Sequence, residues 1–133
     1  MLDTNTVSYI LKGRSAAARV KLAGLQTHQV ACISTITEAE LEYGLAKNLN
    51  AFNFRTAVVA FLGKIQVLTW GREEASVYGQ LRAKQEAAGN RLESMNLLIA
   101  AHAIAVGATL VTRDKVFSQV PDLPAVENWA IDL

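Results

Sequence analysis

From Leu97 to Val106 almost every position is apolar, too many for a helix with one wet face. The run predicts a helix buried on most sides. Gly107 is the expected stop, because glycine takes the left-handed conformation at no steric cost. Ala108 to Val111 is short and β-rich and reads as an interior strand. Thr112, Arg113 and Asp114 then follow at its carboxyl end. In open α/β sheets that end is where ligands bind, so Asp114 stands at a functional edge.

The rest of the chain carries the same signals in weaker form. Met1-Leu2 is a very short apolar lead into Asp3-Thr4-Asn5; as a strand, it would put Asp3 where Asp114 stands on its own. Thr4 or Asn5 is the expected cap of a helix through Val7, Ile10 and Leu11, ended by Gly13. Ser15 to Leu25 reads as a second helix and Val30 to Ile33 as a strand. Ser34 or Thr35 opens a third helix running to about Asn48, and Ala51 to Leu62 forms a fourth. Ile65 to Leu68 is a strand. Gly71 to Ala88 is a long helix with Ala75, Tyr78, Leu81 and Ala88 on one face, closed by Gly89. Ala125 to Trp129 is a last, edge strand. Strands alternating with helices predict an α/β fold, a parallel sheet with helices on both faces, in one domain over residues 1–133. Strand order does not follow from periodicity.

Composition narrows the classes. With 51% hydrophobic and 19% charged residues the chain is not disordered. No apolar run reaches the ~18 residues needed to span a bilayer. The start lacks a basic region followed by an apolar core, so no signal peptide is expected. The single Cys32 has no partner for an internal disulfide, consistent with a reducing, cytoplasmic setting. The net charge is +1, so any nucleic acid must be held by a local patch rather than a global field.

The acids are the candidate chemistry. Asp3 and Asp114 close short strands, and Glu40 opens a helix just after another. Asn96 begins the apolar helix and is a candidate for the same rim. Carboxylates facing one another raise each other's pKa, and a hard divalent cation removes that cost. Oxygen-only ligands suit magnesium or manganese, not zinc. Such a cation commonly serves phosphate-ester chemistry. The same acids also read as separate caps and surface residues, and spacing alone leaves both readings open. Glu40 has Ile36, Thr37, Tyr43 and Gly44 as helical neighbours and no other charge, which favours a cleft. Glu38 and Glu42 read as solvated. Glu73 and Glu74 suit the positive end of a helix dipole. His102 reads as a packed or interface histidine, Cys32 as core, and Trp70 and Trp129 as anchors of element ends. His28 and His102 make no zinc motif.

Four stretches occur in order: Met1-Leu2-Asp3-Thr4-Asn5; Ser34-Thr35-Ile36-Thr37-Glu38-Ala39-Glu40-Leu41 with Gly44; Leu98-Ile99-Ala100-Ala101-His102-Ala103; and Leu110-Val111-Thr112-Arg113-Asp114. Together they resemble a PIN-domain protein, specifically a VapC-type toxin of a bacterial type II toxin–antitoxin pair. Val126-Glu127-Asn128-Trp129 is similar to the same subfamily, and the resemblance covers essentially the whole chain. It implies a three-layer α/β/α fold and a magnesium- or manganese-dependent endoribonuclease. It places the family's acids on Asp3, Glu40 and Asp114, with Thr4, Asn5 and Thr112 as supporting polar groups. Asp3, Asn96 and Asp114 would hold the metal, which activates water for in-line attack on an RNA phosphodiester. Lys12, Arg14, Arg113 and Lys115 are candidates for holding phosphates. The implied partners are a VapB-type antitoxin, a structured RNA loop such as one of tRNA or rRNA, and a second copy of the chain. The Ala51–Leu62 helix, with Phe52, Phe54 and Phe61, is the candidate dimer face.

One position departs from the pattern. The family's third acid normally stands just before the Leu-Ile-Ala-Ala run, and here that residue is Asn96. Its amide offers a carbonyl oxygen but no charge, so metal affinity and water activation should both suffer. Three explanations compete: an engineered substitution, favoured by the intact remainder of the pattern; a naturally weakened protein; or compensation by Glu93. The alternative function is a catalytically silent PIN-like module that binds antitoxin or RNA. A receiver-type phosphorylation domain fits poorly, because it pairs two acids after its first strand and only Asp3 is found there.

Overall fold

The first three residues lie at the middle of the sheet. The computed structural model describes residues 1–133. It forms, in order, α1 (Thr4–Leu11), α2 (Ala16–Ala23), β1 (Cys32–Ser34), α3 (Thr35–Lys47), α4 (Phe52–Leu62), β2 (Gln66–Leu68), α5 (Arg72–Ala87), α6 (Ser94–Val106), β3 (Thr109–Val111), a 3-10 helix (Lys115–Gln119) and β4 (Ala125–Glu127). β1 pairs in parallel with β2, and β3 with β4. The two pairs are joined through Met1–Asp3. The Leu2 N–H donates to Cys32 O on one side at 2.9 Å, and the Asp3 N–H to Val111 O on the other at 3.0 Å. The parallel bridge Leu2–Val111 fixes the second junction. The spatial order is therefore β2, β1, Met1–Asp3, β3, β4. The chain builds outward in one direction, then returns to the centre and builds in the other. That reversal, between Met1–Asp3 and β3, is the switch point at which such sheets leave a crevice at their carboxyl ends.

Period-2 alternation along these short strands feeds two cores. Met1, Cys32 and Leu110 point into one, with Leu81, Leu97, Ile99, Ala100 and Phe117. Leu2, Ile33 and Val111 point into the other, with Val7, Ile10, Leu41, Val58 and Phe61. Helices α5 and α6 thus cover one face and α1, α3 and α4 the other, which is the expected three-layer α/β/α arrangement. No helix is long and apolar enough to cross a membrane.

Helix α6 is buried as its pattern predicts: Leu97, Ile99, Ala100, Ala101, His102 and Ala103 are all inside. It ends at Gly107, which has φ +67°. Three local expectations are corrected. Helix α1 is capped by Asp3 rather than Thr4 or Asn5, because the Asp3 carboxylate reaches the Thr6 N–H at 2.8 Å. On α5 the alanines Ala75 and Ala88 are exposed, and Glu74 and Gln85 are buried beside Leu81. The inward face tolerates them because Glu74 folds back onto the Gly71 N–H and Gln85 meets Asn90. On α4, Phe52 is exposed and Phe54 half-buried, but Phe61 belongs to the core.

Candidate active site

The candidate site centres on Asp3, which is buried at 7% exposure although it is an acid. Ending the central strand and opening α1 gives its carboxylate two fixed donors. Oδ1 accepts the Thr6 N–H, as above, and Oδ2 accepts the Thr112 hydroxyl at 2.5 Å. Charge-assisted bonds of this kind are the strong ones, and together they hold the carboxylate in one orientation. Thr112 is itself buried. Its Oγ1 also accepts the Asp114 N–H at 3.0 Å, so one hydroxyl ties the ends of two neighbouring strands together. Asp114 is exposed, and its side chain caps the 3-10 helix by accepting the Val116 N–H. Asn5, also exposed, lines the same hollow as Asp114, with Tyr9, Arg113 and Lys115.

Glu40 joins from the other side of α1. Thr4 donates its hydroxyl to Glu40 Oε1 at 2.6 Å, and Thr37 lies 3.3 Å from the same Thr4 oxygen. Glu40 is half-buried and lines a separate hollow from Asp114. Asn96 is half-buried in the first turn of α6. Glu93 is exposed at the N-cap of that helix and makes no capping hydrogen bond with its side chain. Lys12, Arg14, Arg113 and Lys115 are all exposed, and Arg113 donates to Leu133 O.

The donors expected for a cation, the carboxylates of Asp3 and Asp114 and the amide carbonyl of Asn96, are all oxygens. Each Asp3 oxygen carries one protein donor and keeps lone-pair capacity, and oxygen-only sets fit magnesium or manganese. Nowhere do three Asp, Glu, His or Cys side chains gather closely enough to hold a metal by themselves. Asn96 and water would have to complete the shell. The donor set therefore fits a hard cation with reduced charge.

A second polar group was not visible as a unit in the sequence. Ser34 Oγ lies 2.7 Å from His102 Nδ1, and His102 Nε2 lies 3.6 Å from Glu74 Oε1. Ser34 also caps α3 by accepting the Ile36 N–H. Ser34 and His102 are fully buried. Nε2 is the sole buried side-chain nitrogen or oxygen without a hydrogen-bond partner. Burial pushes the imidazole below its usual value, and Glu74 only partly opposes this. A neutral ring satisfies the group best: Ser34 donates to Nδ1, and Nε2–H faces the carboxylate. Burial also pushes Glu74 up, but the backbone N–H groups of Glu74 and Gly71 and the nearby His102 outweigh it and hold the carboxyl below its usual range. No local spacing links residues 34, 74 and 102. The signals for Thr37, Tyr43 and Gly44 were available, since all are helical neighbours of Glu40.

Comparison with known proteins identifies the family and the fold. The family model described as PIN domain matches residues 1–123. Ribonuclease VapC2 of Rickettsia felis is 35% identical over 130 residues, 97% of this chain and 96% of that protein. The tRNA(fMet)-specific endonuclease VapC of Salmonella typhimurium is 32% identical over the same shares of the two chains. The fold superposes on VapBC2 from Rickettsia felis bound to a promoter DNA fragment, with TM-score 0.90, 33% identity and 97% of each chain covered. It also superposes on DNA-bound VapBC from Salmonella typhimurium, with TM-score 0.87 and 32% identity over 97% of this chain and 96% of that one.

Proposed function

The chain belongs to the PIN-domain family, among the VapC ribonucleases, and from that premise we propose that it is an endoribonuclease toxin held in check by a VapB-type antitoxin. The observation that supports this best is the Asp3–Thr112–Asp114 connection at the switch point of the sheet. Capping α1 accounts for one Asp3 oxygen; the second, held by Thr112 beside the Asp114 backbone, is the part that a helix cap alone does not require.

Asp3, Asn96 and Asp114 would hold a magnesium or manganese ion, which when bound activates water and offsets charge on the phosphate. Thr6 and Thr112 keep Asp3 from rotating. Thr4 holds Oε1 of Glu40, which leaves Oε2 to accept a proton from the attacking water. Lys12, Arg14, Arg113 and Lys115 would hold phosphates on either side of the cut. The neutral amide of Asn96 leaves the centre one charge short, and activity is weak for that reason. The acidic crevice also suits a guanidinium from the antitoxin. The structured loop of a tRNA is the substrate favoured by the name of the Salmonella relative. Exposed Phe52 and Val59 on α4 support self-association, which sedimentation would measure.

The test is cleavage of a panel of structured RNAs by this chain and its Asn96→Asp form, with manganese and with EDTA. Metal-dependent cutting confined to the Asp form is the expected result. Equal cutting by both forms would remove Asn96 from the site and favour Glu93 as the compensating ligand. No cutting by either would leave the silent binding module.

A further inference from the structure

Beyond the crevice, one hollow on the α1–α3–α4 side is built for something the protein itself does not supply. Gly44 sits inside α3, where glycine costs up to about 1 kcal/mol relative to alanine. Its backbone is ordinary helix, and a Cβ placed there would meet nothing within 4 Å. Neither conformation nor internal packing accounts for the glycine, so the cost keeps a space open. That space is a cleft of about 420 Å³, within the ~300–1,000 Å³ typical of small-ligand sites.

The groups around it are unusual for an unoccupied surface. Tyr43, next to the glycine, is 66% exposed. Lys47 Nζ lies 5.2 Å from the centre of its ring. Lys12 Nζ lies 5.5 Å from the ring of Phe54 on the opposite wall. Neither lysine forms an ion pair with a carboxylate. Glu40, fixed by Thr4, lines the inner end of the same cleft.

We propose that this cleft binds one nucleotide of single-stranded RNA beside the scissile phosphate, its base stacked on Tyr43 and its flanking phosphates held by Lys12 and Lys47. The inference rests on the ribonuclease reading and deepens it. An exposed tyrosine ring with Lys47 beside it, and Lys12 over Phe54 in the same cleft, supply the aromatic and cationic groups that a base and its flanking phosphates need. A polypeptide helix would instead want a continuous apolar groove. Single-stranded loops, with bases free to splay out, are the RNA form that such a platform reads.

The experiment measures binding of fluorescein-labelled oligoadenylate to the full chain, with calcium replacing the catalytic metal so that nothing is cut. Tyr43→Ala should weaken binding about fivefold to a hundredfold, and Tyr43→Phe should restore it. Lys12→Ala and Lys47→Ala should each flatten the salt dependence, lowering the log–log slope by about 0.7. Gly44→Ala is the discriminating variant. Its melting temperature should rise by about 2–5 °C while RNA affinity falls, a pairing that a purely structural glycine would not give. Unchanged affinity in the Tyr43 and Gly44 variants overturns the proposal and leaves the ribonuclease reading standing. Unchanged affinity with loss of the co-expressed antitoxin assigns the cleft to a protein partner and overturns it too. If the unaltered chain binds no oligoadenylate, the proposal falls, while the ribonuclease reading stands or falls with cleavage of the structured RNAs.

Discussion

Two carboxylate–hydroxyl groups in this protein use the same parts to different ends. At the carboxyl edge, Thr112 donates to Asp3, and Thr4 donates to Glu40, which lines an open hollow. In the interior, Ser34, His102 and Glu74 join α3, α6 and the first turn of α5. The interior group is sealed: its serine caps a helix, its histidine is kept neutral, and its glutamate closes a turn. The edge group stays partly open, because Glu40 is half-buried and lines a hollow. Polar clusters of similar composition are thus told apart by where the sheet puts them: the end of a switch-point strand stays open, while the join between helices closes.

The sharpest way to break the contrast is to restore charge at the edge. Asn96→Asp should raise metal-dependent RNA cleavage by about a hundredfold or more, given that even outer-shell changes move metal sites by 10–100-fold. Its thermal stability should not rise with it, since one more carboxylate at the rim repels its neighbours until a cation binds. Parallel assays with manganese and EDTA check both halves. Next in size is Thr112→Val in the Asn96→Asp background. Asp3 then loses one of its two donors, and cleavage should fall about tenfold to a hundredfold. A fall in stability of about 1–3 kcal/mol is expected alongside, from the two hydrogen bonds lost with the hydroxyl. A large stability loss with unchanged cleavage would make Thr112 part of the scaffold instead.

The interior group should show the reverse pattern. Ser34→Ala removes a helix cap and leaves His102 Nδ1 unpaired in the core, a loss of about 2–3 kcal/mol by urea unfolding. Oligoadenylate affinity should be unchanged at temperatures where the variant is folded. The smallest effect is the pH dependence of stability. His102 is held below its ordinary pKa, so its contribution is present above the usual imidazole value of 6.5 and is lost as pH falls through and below it. Glu74 is held below 4.5, and its contribution disappears only as pH falls further. Both act in the same direction, so acid weakens the fold in two steps. In His102→Leu the first step should vanish from the unfolding midpoints.

The sequence was most legible where one signal dominated. The unbroken apolar run of α6 with Gly107 behind it, and the β-rich Thr109–Val111 after that, are visible without any structure. Asp3 and Asp114 could be placed at strand ends on the same grounds. The α5 face was misread because its inward positions are Glu74 and Gln85, and their partners, Gly71 and Asn90, lie beyond the helix ends, outside its periodicity. The order of the strands was illegible because each is only three residues long, too short for pairing preference to be read. The Ser34–His102 contact spans 68 residues and is set by how α6 lies across β1 and α3. The cleft at Tyr43 was half-visible: the helical neighbours of Glu40 named it, but only the fold brings Lys12 of the α1 turn and Phe54 of α4 to the same place.

The central position of Met1–Asp3 also has a consequence in time. Its amino group reaches Thr109 O across 108 residues of chain, and Asp3 meets its second donor only at Thr112. During synthesis Asp3 therefore waits for Thr112 before its carboxylate is fully seated, since long-range pairing must wait for both partners and for closure of the loop between them. On the ribosome the Asp3–Thr112 connection cannot form until β3 and the residue after it have emerged.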